Sequence, residues 1–173
     1  MGKRKVSIVS ILALIVGLSG LGLGAYSLYQ VISPKPLARA FVSSGQSVPS
    51  STWTVVDFDV EDYDVTSNFN IVTDRFICPT SGYYLISGKV KFVTMLDGEA
   101  IFVAVFREGV SEIESSVYGS NTVSLSTNFV DVVYLNAGDY VELRVYHTGS
   151  FSRSIYGNTE GTYTYLTIEA TDI

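Results

Sequence analysis

Hydrophobic and polar residues are patterned differently in two parts of this 173-residue chain. From Val6 to Ile32 the run VSIVSILALIVGLSGLGLGAYSLYQVI carries no charge over 27 residues. A helix needs about 20 apolar residues to cross a bilayer, so this run predicts one transmembrane α-helix. Beyond Ala40 the period drops to two. Val141, Leu143 and Val145 alternate with Tyr140, Glu142, Arg144 and Tyr146. Leu166, Ile168 and Ala170 alternate with Tyr165, Thr167 and Glu169, and Lys89, Val90, Lys91 and Phe92 alternate likewise. Such alternation marks strands with one buried face. Ile101 to Phe106 is continuously apolar, as expected of a strand covered on both sides.

Turn signals separate these runs: Thr80-Ser81-Gly82, Asp97-Gly98, Glu108-Gly109, Asn136-Ala137-Gly138-Asp139 and Gly157-Asn158. No segment after residue 40 has helical spacing with caps. The pattern predicts an all-β, two-sheet jelly-roll sandwich of eight to ten strands behind the membrane helix. The expected organisation is a basic tail at 1–5, the helix at 6–32, a Pro-containing linker at 33–39 and the β-domain at 40–173. Pro34 and Pro36 end the helix and stiffen the exit.

Charge fixes the expected orientation. Lys3, Arg4 and Lys5 flank the helix on its N-terminal side, whereas all seventeen acidic residues lie at Asp57 or beyond. The positive-inside rule keeps the short tail in the cytoplasm and puts the C-terminal domain outside the cell. Ala38-Arg39-Ala40 has the spacing of a signal-peptidase site, but the apolar run is nearly twice the usual length for a cleaved leader. A retained anchor is the expectation. Gly20 and Gly24 form a small-residue pair that packs membrane helices, although glycine is common in such helices without that role. Removing the four basic residues of the first 35 leaves seven basic against seventeen acidic, a net charge of −10. A domain of that sign repels phosphate backbones, and nucleic-acid binding is excluded.

The spacing of large residues is specific. Phe58, Asp64, Phe69, Phe76, Gly82 and Tyr84 follow one another with five, four, six, five and one residues between them. Ala40-Phe41, Phe76-Ile77-Cys78-Pro79 and Leu135-Asn136-Ala137-Gly138-Asp139-Tyr140-Val141 accompany them. This series resembles the complement C-one-q globular-head family, whose members share the jelly roll of the tumour necrosis factor superfamily. The resemblance covers residues 40–173. It departs at Ile86 and Gly88, where the family usually carries aromatics, and it lacks a collagen-like stalk. It implies a recognition module that forms a homotrimer and binds a protein or glycan outside the cell, with no catalysis. An alternative is a structural coat or virion protein packed in many copies. The matched aromatics are expected as core, and Gly82 as a turn position that a side chain would obstruct.

Residues for chemistry are few. His147 is the sole histidine and is expected in a loop beside Thr148-Gly149-Ser150. Cys78, the sole cysteine, excludes an intrachain disulfide and is expected as a buried inert thiol. No phosphate-binding loop or nucleophile elbow occurs. Asp57, Asp59, Glu61, Asp62 and Asp64 offer oxygens for calcium, which some relatives bind, but alternation puts the first three on one solvated face. No cofactor is expected. Tyr140, Tyr146, Tyr163 and Tyr165 sit at outward positions and are the candidate trimer interface, since a tyrosine can bury its ring and keep its hydroxyl hydrogen-bonded.

Overall fold

The computed structural model describes residues 34–171. The run 6–32, with its expected membrane helix and glycine pair, lies outside the described residues. No described helix is long and apolar enough to cross a membrane.

The described residues form thirteen strands in two antiparallel sheets. The strands are β1 (Leu37–Phe41), β2 (Gln46–Val48), β3 (Thr54–Val55), β4 (Val60–Asp64), β5 (Phe69–Asn70), β6 (Arg75–Ile77) and β7 (Gly82–Met95). They continue as β8 (Ala100–Arg107), β9 (Val110–Tyr118), β10 (Val123–Leu135), β11 (Tyr140–His147), β12 (Arg153–Ile155) and β13 (Tyr165–Ala170). The first sheet runs β2-β12-β7-β13-β1-β4, with β10 along the other edge of β7. The second runs β5-β6-β11-β8-β9, with β3 added to β11. The count exceeds the expected eight to ten because β2, β3, β5, β6 and β12 have only two or three residues, too few to display an alternation.

The alternation predicts the core. Val141, Leu143 and Val145 of β11 are fully buried, as are Val103 and Val105 of β8. They belong to one cluster with Ile86, Val90 and Phe92 of β7 and Leu166 and Ile168 of β13. β1 lies between β13 and β4, and Ala38 and Ala40 are both buried there. Strand structure therefore begins at Leu37, inside the segment expected as a linker.

His147 corrects the expectation of a loop histidine. It ends β11 and is 0% exposed. Its Nε2 lies 3.1 Å from the Val48 carbonyl, its Nδ1 accepts the Gly149 N–H at 3.1 Å, and its ring packs on Phe92. The imidazole ties the start of the domain to a turn about a hundred residues later. His147→Ala should therefore cost about 2–4 kcal/mol, from the cavity and the orphaned carbonyl together. A thermal melt within error of wild type would contradict this.

Candidate functional site

The six spaced residues mostly build the core. Phe58 is buried and meets Phe69 edge-on at 5.8 Å. Phe69 pairs with Phe76 across β5 and β6, and Phe76 meets Tyr84 edge-on at 5.9 Å. Asp64 caps the intervening turn: its carboxylate accepts the N–H groups of Phe69 (2.6 Å) and Thr66 (3.3 Å). The Tyr84 hydroxyl donates to the Thr80 carbonyl at 2.8 Å, and burial pushes its pKa up to about 12. Gly82 departs from expectation. It opens β7 without a left-handed φ, and a Cβ there would meet nothing within 4 Å. A glycine that contacts do require on the same strand is Gly88, where a Cβ would lie 2.7 Å from the Phe129 ring. Phe129 of β10 thus fills the space that an aromatic at 88 would need.

The chemically able groups are engaged in structure. Cys78 is buried, donates to the Thr80 carbonyl at 3.1 Å, and has its thiol pushed up by burial. Asp57, Asp59 and Glu61 are exposed, as the alternation requires. Burial is the largest single influence on the Asp59 carboxyl and raises it, but the hydrogen bonds from Ser43 and Ser44 together outweigh it and hold the group below its ordinary value. Asp62 pairs with Arg39. Among the described residues no group of three or more His, Cys, Asp or Glu is placed to hold a metal ion. A depression beside β5 is lined by Ser67, Asn68, Phe69, Asn70, Ile71 and Ile77, none of them titratable.

Among the described residues Asp74 is the one carboxylate pushed well up, to about 6, by burial and by the nearby Asp57 and Glu142 charges, against a hydrogen bond from the Phe58 N–H at 2.8 Å. The folded state binds this proton more tightly than the unfolded chain, where the value is 3.8. Its stabilising effect is complete below pH 4 and is lost as pH rises through 6. Asp74→Asn keeps an acceptor for Phe58 and removes the charge. It should raise the stability at pH 8 by on the order of 1 kcal/mol after solvent screening, seen as a higher melting temperature, and leave pH 4 nearly unchanged. A variant less stable than wild type at pH 8 would contradict this assignment.

With no metal-holding cluster among the described residues, the outward faces of the two sheets are the candidate sites. On the first sheet, β7 and β10 pair Tyr83 with Tyr134, Leu85 with Val132 and Ser87 with Val130. Tyr83, Val130, Val132 and Tyr134 are exposed, Val130 by 67%. Tyr165 lies on the same face opposite Lys89, and the Lys91 ammonium sits 4.3 Å from the Tyr163 ring. Tyr140 and Tyr146 belong to β11 of the second sheet, where Arg75 covers Tyr140 and Trp53 and Phe102 flank Tyr146. The four tyrosines thus lie on opposite faces of the sandwich and do not form one surface. Val130 and Val132 were not among the sequence candidates. Their signal is three successive outward positions, Val130, Val132 and Tyr134, that are apolar or aromatic on a strand whose other face holds Phe129 and Leu135.

The sequence profile of the C1q domain family matches residues 40–166. The chain belongs to the C1q domain family. No curated protein is significantly similar to it in sequence. Among solved structures, this C1q domain resembles the Eiger TNF of S. frugiperda with a TM-score of 0.63 at 14% identity, covering 80% of this chain and 94% of that one. The globular domain of zebrafish complement 1qA protein superposes with a TM-score of 0.59 at 18% identity, covering 78% and 95%. Murine APRIL superposes with 0.61 at 16% identity, covering 80% and 100%. At these identities the likeness concerns the jelly-roll fold, which is common to C1q and tumour necrosis factor domains.

Proposed function

We propose that this chain is a single-pass membrane protein presenting a non-catalytic C1q recognition head outside the cell, and that three heads assemble through the outer face of the first sheet. The observation that carries the assembly is the exposed apolar surface of Tyr83, Val130, Val132 and Tyr134. Strands open to solvent ordinarily turn polar residues outward, and a contiguous apolar patch marks an interaction surface. Threefold assembly is what the C1q resemblance implies. Tyr163 and Tyr165 join this surface, whereas Tyr140 and Tyr146 do not.

The uncharged run 6–32 and the cluster of Lys3, Arg4 and Lys5 support the anchor and its orientation. β1 adds a structural reason for an uncleaved chain. Cleavage after Ala40 would remove most of a strand that bridges β13 and β4, including two of its three buried side chains. Light scattering on the full-length chain in detergent, corrected for bound detergent, tests the assembly. Three protomers are expected; a single protomer at micromolar concentration would overturn it.

A further inference from the structure

We propose that the outer face of the second sheet is a platform for carboxylated sugar rings. This rests on reading the chain as a recognition head and names its ligand class. Solvent-facing β positions are ordinarily polar. Here they carry a continuous aromatic stripe across four neighbouring strands, about 15 Å at ordinary strand spacing. Tyr118 of β9 meets Phe102 of β8 at 6.5 Å, and Phe102 meets Tyr146 of β11 at 5.8 Å. Trp53, just before β3, lies 5.5 Å from both Tyr146 and Phe106. Trp53 is 36% exposed and Tyr118 69%, so ring surface remains open to a ligand. The hydroxyls of Tyr118 and Tyr146 have no protein partner among the described residues.

The stripe ends in a charge arrangement that selects the ligand. Glu142 is fully buried on this outer face and takes Nε of Arg75 at 3.0 Å together with Nε and Nη2 of Arg144. The Arg144 guanidinium also lies 4.4 Å over the Phe106 ring, and that of Arg75 lies 4.0 Å over Tyr140. Both guanidiniums are therefore held in place before any ligand arrives, which lowers the ordering cost of binding. Nη1 of Arg144 and both Nη groups of Arg75 keep their N–H donors free of protein partners among the described residues. Two cations share this one carboxylate, so each guanidinium keeps donors for a further anion. Other charged groups near the stripe include Glu114, opposite Ala104 on the same face, and Glu108, close to Arg75.

A protein partner's apolar anchor would be met by aliphatic side chains as well as rings, and a bare anion would need no rings. Flat rings with free hydroxyls beside oriented guanidiniums suit a pyranose, whose C–H face stacks and whose carboxylate pairs with arginine.

The test is calorimetric titration of the full-length chain in detergent with oligogalacturonate, with sialyllactose, with a neutral galactose oligosaccharide and with polyglutamate. Binding of either acidic sugar, with the neutral sugar and polyglutamate weaker by about ten-fold or more, supports the platform and identifies which acidic sugar it takes. Trp53→Ala and Arg75→Gln, with melting temperatures near wild type, should each weaken that binding about ten-fold. Failure of both acidic sugars to bind would overturn the proposal, as would equal binding of polyglutamate or of the neutral sugar, or unchanged affinity in Trp53→Ala. The light-scattering mass of the same samples separates the two readings, since a trimer that binds neither sugar contradicts the platform alone.

Discussion

Phe76→Ala should abolish cooperative folding of the β-domain or lower its melting temperature steeply. Phe76 is 0% exposed, pairs with Phe69 on one side and Val141 on the other, and packs edge-on against Tyr84. It therefore joins β5, β6 and β11 of the second sheet to β7 of the first. Truncating such a ring costs about 3–5 kcal/mol, against about 5–15 kcal/mol for the whole domain. Val72→Ala is the matched control, because Val72 is exposed. If Phe76→Ala melted within about 2 °C of wild type, the packing between the two sheets would be misassigned.

Val130→Asp together with Val132→Asp should reduce the light-scattering mass from three protomers to one while the melt of each domain stays cooperative. Both side chains point outward from β10, so neither is needed to fill the core. In a trimer joined through this face the substitutions would place six carboxylates in a desolvated interface, where an unpaired buried charge costs several kcal/mol. A doubly substituted chain that remained trimeric would show that the heads meet elsewhere or that the membrane segment assembles them.

The parts of this fold that were legible in sequence are those where one strand carries its own pattern. In β11, Val141, Leu143 and Val145 alternate over eight residues, and their burial follows from period two alone. The spacing of Phe58, Phe69, Phe76 and Tyr84 was informative because large side chains from four segments must converge on one interior. What could not be read locally depends on partners distant in sequence. Glu142 occupies an outward position and reads as a solvated acid, yet Arg75, 67 residues away, and Arg144 cover it. His147 follows a strand pattern and precedes a turn, and two of the partners that bury it, the Val48 carbonyl and the Phe92 ring, are distant in sequence. Outward tyrosines can be recognised one strand at a time, but assigning them to a face requires the sheet order, which puts β11 and β13 in different sheets. Gly82 misled because a turn signal beside a strand does not reveal whether its glycine has a left-handed φ or merely starts the strand.

On the proposed topology, a recognition head is held outside the cell by an N-terminal membrane helix. Protease treatment of intact cells expressing the full-length chain with an N-terminal tag tests it most directly. A topology with the basic tail inside predicts that protease removes the β-domain and leaves a tagged, membrane-protected fragment ending near Lys35. Protection of the whole chain, or recovery of an untagged soluble chain beginning near Phe41, would contradict it.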